Sequence, residues 1–128
     1  MTQPETSEGW FAVVEPEIKG AHNAYAEGNL GKARVGSRRA AGMALKGWLL
    51  AMADRGAPLE GYGRNFMHHL NALADDETVQ DVAVREAAWR LAARGRPEAG
   101  FKMPLPEPLT PMMDAELIIA WSHQQLQH

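Results

Sequence analysis

The sequence predicts an all-α fold, an up-and-down bundle of four to five helices in a single domain. Alanine, leucine and methionine dominate its 128 residues, β-branched residues are sparse, and apolar positions recur three and four apart. No two-residue hairpin signal separates alternating strands. A composition of 45% hydrophobic and 23% charged residues is too apolar for a disordered chain. The length suits one domain that buries roughly two thirds of its unfolded surface.

Taken in order, residues 1–9 are polar and acidic and read as a flexible lead-in, followed by a turn around Trp10 to Val14. The first helix is expected from about Glu15 to Glu27, with Pro16 at its first position and Gly28-Asn29 ending it. The second runs from about Leu30 to Arg55, capped by Asn29 and stopped by Gly56. Steps of 100° put Leu30, Ala33, Ser37, Ala41, Ala44, Leu45, Trp48 and Met52 on one face and Lys32, Arg39 and Lys46 opposite; Arg34 and Arg38 fall at the edge. Ala40, Ala41, Gly42 and Ala44 are too small to fill a core, so another helix should come close there. A third helix follows Gly63 and reaches about Ala74, with Phe66, Met67, Leu70, Leu73 and Ala74 apolar. Asp75 or Asp76 caps a fourth from about Glu77 to Arg94, ended by Gly95, with Val79, Val82, Ala83, Trp89 and Leu91 to Ala93 as its apolar residues. Four prolines between 96 and 109 forbid a helix and predict an extended, stiff connection. Thr110 as cap and Pro111 at the first position open a fifth helix over about Met112 to Gln125, with Leu117, Ile118, Trp121 and Leu126 available for burial.

Charge and composition exclude several functions. There is no cysteine, so disulfide frameworks, thiolate metal sites and cysteine nucleophiles are ruled out. No apolar run reaches the ~20 residues of a membrane span, and no basic segment followed by an apolar one marks a secretory signal, so a cytoplasmic protein is expected. The net charge of −3 is unevenly spread: residues 1–31 and 97–128 are acidic, while 32–96 carry eleven basic residues against seven acids. Lys32, Arg34, Arg38, Arg39 and Lys46 follow one another with no acid between them. Arg34, Arg38, Arg39 and Lys46 are the candidate nucleic-acid contacts, against the plainer alternative of a solvated helix face paired with the acidic ends.

The segment Gly63-Arg-Asn-Phe-Met-His-His-Leu70 brings together groups able to hold a phosphate and move a proton near a helix start. In a regular helix His68 lies one turn above Arg64, while His69 is turned about 140° away. An arginine fork can clamp a phosphate, and a histidine near neutrality can take a proton from a ribose hydroxyl or return one to a leaving oxygen. Other chemistry lacks its motif. There is no His-Glu-x-x-His or Glu-x-x-His pair, so no metal is expected, and no cofactor motif is present. No phosphate-binding loop or nucleophile elbow occurs, and Ser37 and Ser122 have no base at meaningful spacing. The four tryptophans, one per segment, read as packing residues.

Three stretches, Ala24-Tyr-Ala-Glu-Gly-Asn-Leu-Gly-Lys-Ala33, Ser37-Arg-Arg-Ala-Ala-Gly-Met-Ala-Leu-Lys-Gly-Trp-Leu-Leu50 and Arg64-Asn65 through His68-His69-Leu70, together resemble HEPN (higher eukaryote and prokaryote nucleotide-binding) domains over residues 18–74. The resemblance implies a HEPN-like bundle, often a homodimer, serving either as a metal-independent endoribonuclease of toxin type or as a non-catalytic nucleotide-, RNA- or protein-binding module. It also implies a nucleotidyltransferase-type antitoxin chain as a partner. Carried over by position, Arg64 matches the motif arginine, Asn65 the polar residue after it, and His69 the four-residue gap. The helix face and a His-x-Leu match favour His68 instead, and both remain open. A purely structural dimerising bundle is the third alternative.

Overall fold

The structure, a computed structural model, describes residues 3–57, 60–92 and 110–127. It is all-helical, with five helices and no strand among the described residues: α1 (Ser7–Ala26), α2 (Leu30–Asp54), a 3₁₀ turn (Glu60–Tyr62), α3 (Phe66–Asp75), α4 (Val82–Leu91) and α5 (Pro111–Leu126). The Pro-rich connection expected at 96–109 lies outside the described residues.

Helix α1 begins eight residues before the expected Glu15, inside the stretch read as flexible. Thr6 caps it by accepting from the Gly9 N–H at 3.0 Å. Pro16 is therefore interior. Its missing N–H leaves the carbonyl of Ala12 without its helical donor, but Ala12 and Pro16 both face solvent, where water supplies the bond. Trp10, Val14, Ile18 and Ala21 form an unbroken buried stripe through the proline, and that burial outweighs the lost bond.

Helix α2 is the hub, contacting each of the other four helices. Asn29 caps it as expected, its side chain accepting from the Lys32 N–H. Ala33, Ser37, Ala41, Ala44, Leu45 and Trp48 are buried, but Leu30, at the helix's first position and beyond reach of the core, is 60% exposed. The small residues do admit another helix. A Cβ on Gly42 would lie 2.4 Å from Phe66 of α3, and one on Gly47 would lie 2.8 Å from Phe11 of α1.

Helix α4 starts at Val82, capped by Asp81, five residues later than expected. Neither Asp75 nor Asp76 caps it. Asp76 instead accepts from the Thr78 N–H and hydroxyl and from the Tyr62 hydroxyl, holding the α3–α4 connection in a turn. Val82 and Ala83 consequently face solvent. Helix α5 starts as read, Thr110 accepting from the Met113 N–H with Pro111 in the first turn. Ile118 and Trp121 are buried, whereas Leu117 is exposed.

The α4–α5 contact contains a pair that apolar periodicity does not reveal. Asp114, 2% exposed, accepts from Arg90 Nε and Nη2, the shortest contact being 2.7 Å. Burial pushes the Asp114 carboxyl up despite the opposing pull of Arg90.

Candidate anion-binding site

Gly63 and Asn65 shape the segment that the sequence marks as the site. Gly63 adopts φ +70°, and a Cβ there would lie 2.6 Å from that of His68, so only glycine lets the chain turn under this side chain. Asn65 is the N-cap of α3, its Oδ1 accepting from the His68 N–H at 2.9 Å. That bond fixes the helix start and leaves the Asn65 Nδ2 donor as the group it can offer a ligand.

The two histidines part company here. His69 is 1% exposed, packed beside Phe66, with Nδ1 donating to the Tyr62 carbonyl at 2.8 Å. A carbonyl only accepts, so this contact sets the proton on Nδ1; Nε2 is buried with no partner. Burial holds the His69 pKa below the ordinary histidine value, opposed by the Tyr62 hydrogen bond and reinforced by the Lys46 and His68 charges. Of the two histidines the sequence leaves open, His69 is the one that the apolar side of α3 turns into the core. His68 is exposed beside Gly63.

Arg64 and Asn65 do line a cavity, and Lys46 of α2 joins them there. It measures about 200 Å³, with Trp10, Phe66 and Gln3 completing its walls. Trp10 and Phe66 meet edge to face at 5.8 Å between ring centroids, and the Trp10 Nε1 donor is buried without an acceptor. Among the described residues the polar lining is therefore two cations and amide groups, with no carboxylate, at the positive end of a ten-residue helix. Such a constellation attracts an anion and in particular phosphate, whose several oxygens can accept from an arginine fork, an ammonium and an amide at once. Neither His68 nor His69 lines it.

The remaining candidate cations are dispersed. Arg38 Nε donates to the Leu91 carbonyl at 2.6 Å, closing the C-terminal end of α4, and Arg39 pairs with Glu17 of α1. Arg34 is exposed on the N-terminal half of α2, about three helical turns from Lys46. The basic stripe is thus partly spent on contacts within the chain, and of its members only Lys46 meets the Arg64 segment. Sequence reasoning placed Lys46 and Arg64 in separate groups because no local periodicity relates α2 to the loop before α3. The close approach of Phe66 to Gly42, one turn before Lys46, brings them together.

Among the described residues, no group of three or more His, Asp or Glu side chains is placed to hold a metal ion, and no helix is long and apolar enough to cross a membrane. No family model, curated protein or solved structure matches the chain. The HEPN resemblance accordingly stands on the residues that carry it.

Proposed function

We propose that this chain is a HEPN-like helical module that binds a phosphate-bearing ligand, RNA or a nucleotide, at the Lys46–Arg64 cavity without cleaving it. The observation that carries the reading is the convergence of Lys46, Arg64 and the Asn65 cap on one cavity with no carboxylate among its described lining residues. Its volume suits a phosphate with part of its sugar, so the backbone is recognised rather than the base. The non-catalytic reading is favoured because acid–base cleavage needs a proton carrier within hydrogen-bond reach of the phosphate's neighbours. His69 is in the core and His68 is not among the lining residues.

The test is incubation of purified protein with mixed RNA in EDTA, followed by gel analysis and a parallel binding measurement on wild type, Arg64→Ala and Lys46→Ala. Binding that either variant weakens, with the RNA intact, supports the proposal. Cleavage abolished by Arg64→Ala and His68→Ala would replace it with the ribonuclease reading.

A further inference from the structure

A second cavity, of about 410 Å³, opens on the other side of α2, where Trp48, Trp121, Asp76, Gln80, Asp81 and Gln125 meet. Trp48 lies two residues beyond Lys46, about 200° around the helix, so the two cavities are separated by α2 itself. The two have opposite chemistry. Here two indoles, with ring centroids 4.9 Å apart and planes inclined at 64°, form adjoining walls, and Tyr62 backs Trp48 edge to face at 5.3 Å. Asp76, Asp81, Gln80 and Gln125, with Thr78 and Val79, complete the lining, and no basic residue is part of it among the described residues.

We infer that this cavity is a binding site for a small organic cation, an ammonium or quaternary ammonium group held against indole surface and neutralised by Asp76 and Asp81. Ring quadrupoles favour a cation over an isosteric neutral group, and an organic cation keeps the apolar contact that a hydrated metal ion would lose. Asp76 is ionised: against the upward push of its partial burial, hydrogen bonds from Thr78 and Tyr62 and the Arg85 charge hold its carboxyl below the usual range. Asp81 uses Oδ1 to cap α4, which leaves Oδ2 able to accept.

The wider field is mostly of the same sign, offset by the positive end of α4, which Asp81 caps, and by the Arg85 charge near Asp76. Residues 75–84 hold Asp75, Asp76, Glu77 and Asp81 and no basic residue. The C-terminal ends of α3 and α5, the negative ends of their dipoles, lie at this end of the bundle. Each has already drawn an arginine: Arg85 Nε donates to the Ala74 carbonyl and Arg55 Nη2 to the Leu126 carbonyl. Those guanidiniums satisfy the helix ends from outside the cavity, since neither lines it. The cation site shares no residue with the anion site, and either can fail without the other.

The experiment is a titration of the 128-residue chain with choline, followed by the indole N–H resonances, alongside the uncharged tert-butyl isostere of the same shape. Choline should bind saturably and shift the Trp48 and Trp121 resonances, with the isostere at least about fivefold weaker, the cation–π preference of a partly solvated site. Asp81→Asn removes a charge while keeping an equally good helix cap, so the fold is retained; it should weaken choline by about threefold to fivefold, the scale of an exposed ion pair. Equal binding of choline and its isostere would show an apolar cleft with no preference for charge and overturn the inference. Absence of saturable choline binding to folded wild-type protein would overturn it as well.

Discussion

Replacing Gly42 by alanine puts a methyl group where Phe66 already stands. The new Cβ would lie 2.4 Å from Phe66 Cβ and Cγ and 2.8 Å from Cδ1, while carbon atoms pack at about 3.5–4.0 Å. Phe66 must retreat by about 1 Å, and because its Cβ is fixed to the backbone at the first turn of α3, the helix start moves with it. Overpacking of this kind costs about 1–3 kcal/mol or more, against a gain of about 1 kcal/mol for alanine over glycine inside a helix. A net loss of up to about 2 kcal/mol should lower Tm by up to about 8 °C in a chain of this size. Gly20, within α1 and with no neighbouring atom within 4 Å of where its methyl would lie, is the internal control; the same substitution there should raise Tm by about 2–4 °C through propensity alone. Thermal unfolding by circular dichroism reads both. A Gly42→Ala protein as stable as Gly20→Ala would refute the claimed α2–α3 approach.

Asp114→Ala should destabilise the protein by about 3–5 kcal/mol, because Arg90 would remain largely buried without its carboxylate; chemical denaturation checks this, and Arg90→Met with Asp114→Leu should recover most of the loss. Asn65→Ala should cost about 1 kcal/mol and Asn65→Asp much less, since only the latter still caps α3, as thermal melts will show. His69 makes stability fall in acid. Its folded-state pKa lies below its unfolded one, so the unfolded chain binds more protons and stability rises with pH. The contribution is complete above about pH 6.5 and is lost as pH falls from there through the folded value. Denaturation midpoints across this range should show a shallower slope in His69→Gln, and an unchanged slope would contradict the buried tautomer.

The helical class, the extents of α2 and α3 and the start of α5 are legible in the sequence because each rests on local chemistry: an Asn cap with glycine beyond the end of α2, and Thr-Pro before α5. The start of α1 is not, because Pro16 carries the signature of a first position. Only the burial of Trp10 and Val14 against α2, a tertiary effect, settles it. The start of α4 is displaced for a similar reason. Asp75, Asp76 and Asp81 are equally good caps locally, and the Tyr62 hydroxyl claims Asp76 from fourteen residues away. At the candidate site, the residue types around Arg64 mark the right segment, but which neighbouring histidine faces the core depends on the register of α3 against α2. The Lys46 contribution and both tryptophan walls of the second cavity come from residues distant in sequence, so no spacing rule relates them.

The most direct test of the central claim is an anisotropy titration of a short labelled single-stranded RNA with wild type, Lys46→Ala and Arg64→Ala at several salt concentrations. Reversible binding to intact RNA that weakens with salt is the expected result. Each variant should bind at least about tenfold more weakly at low salt and show a salt slope shallower by about 0.7, the loss of one phosphate contact to a single strand. Binding of equal strength and equal salt slope in all three proteins, each folded, would contradict it and remove the Lys46–Arg64 cavity as the site.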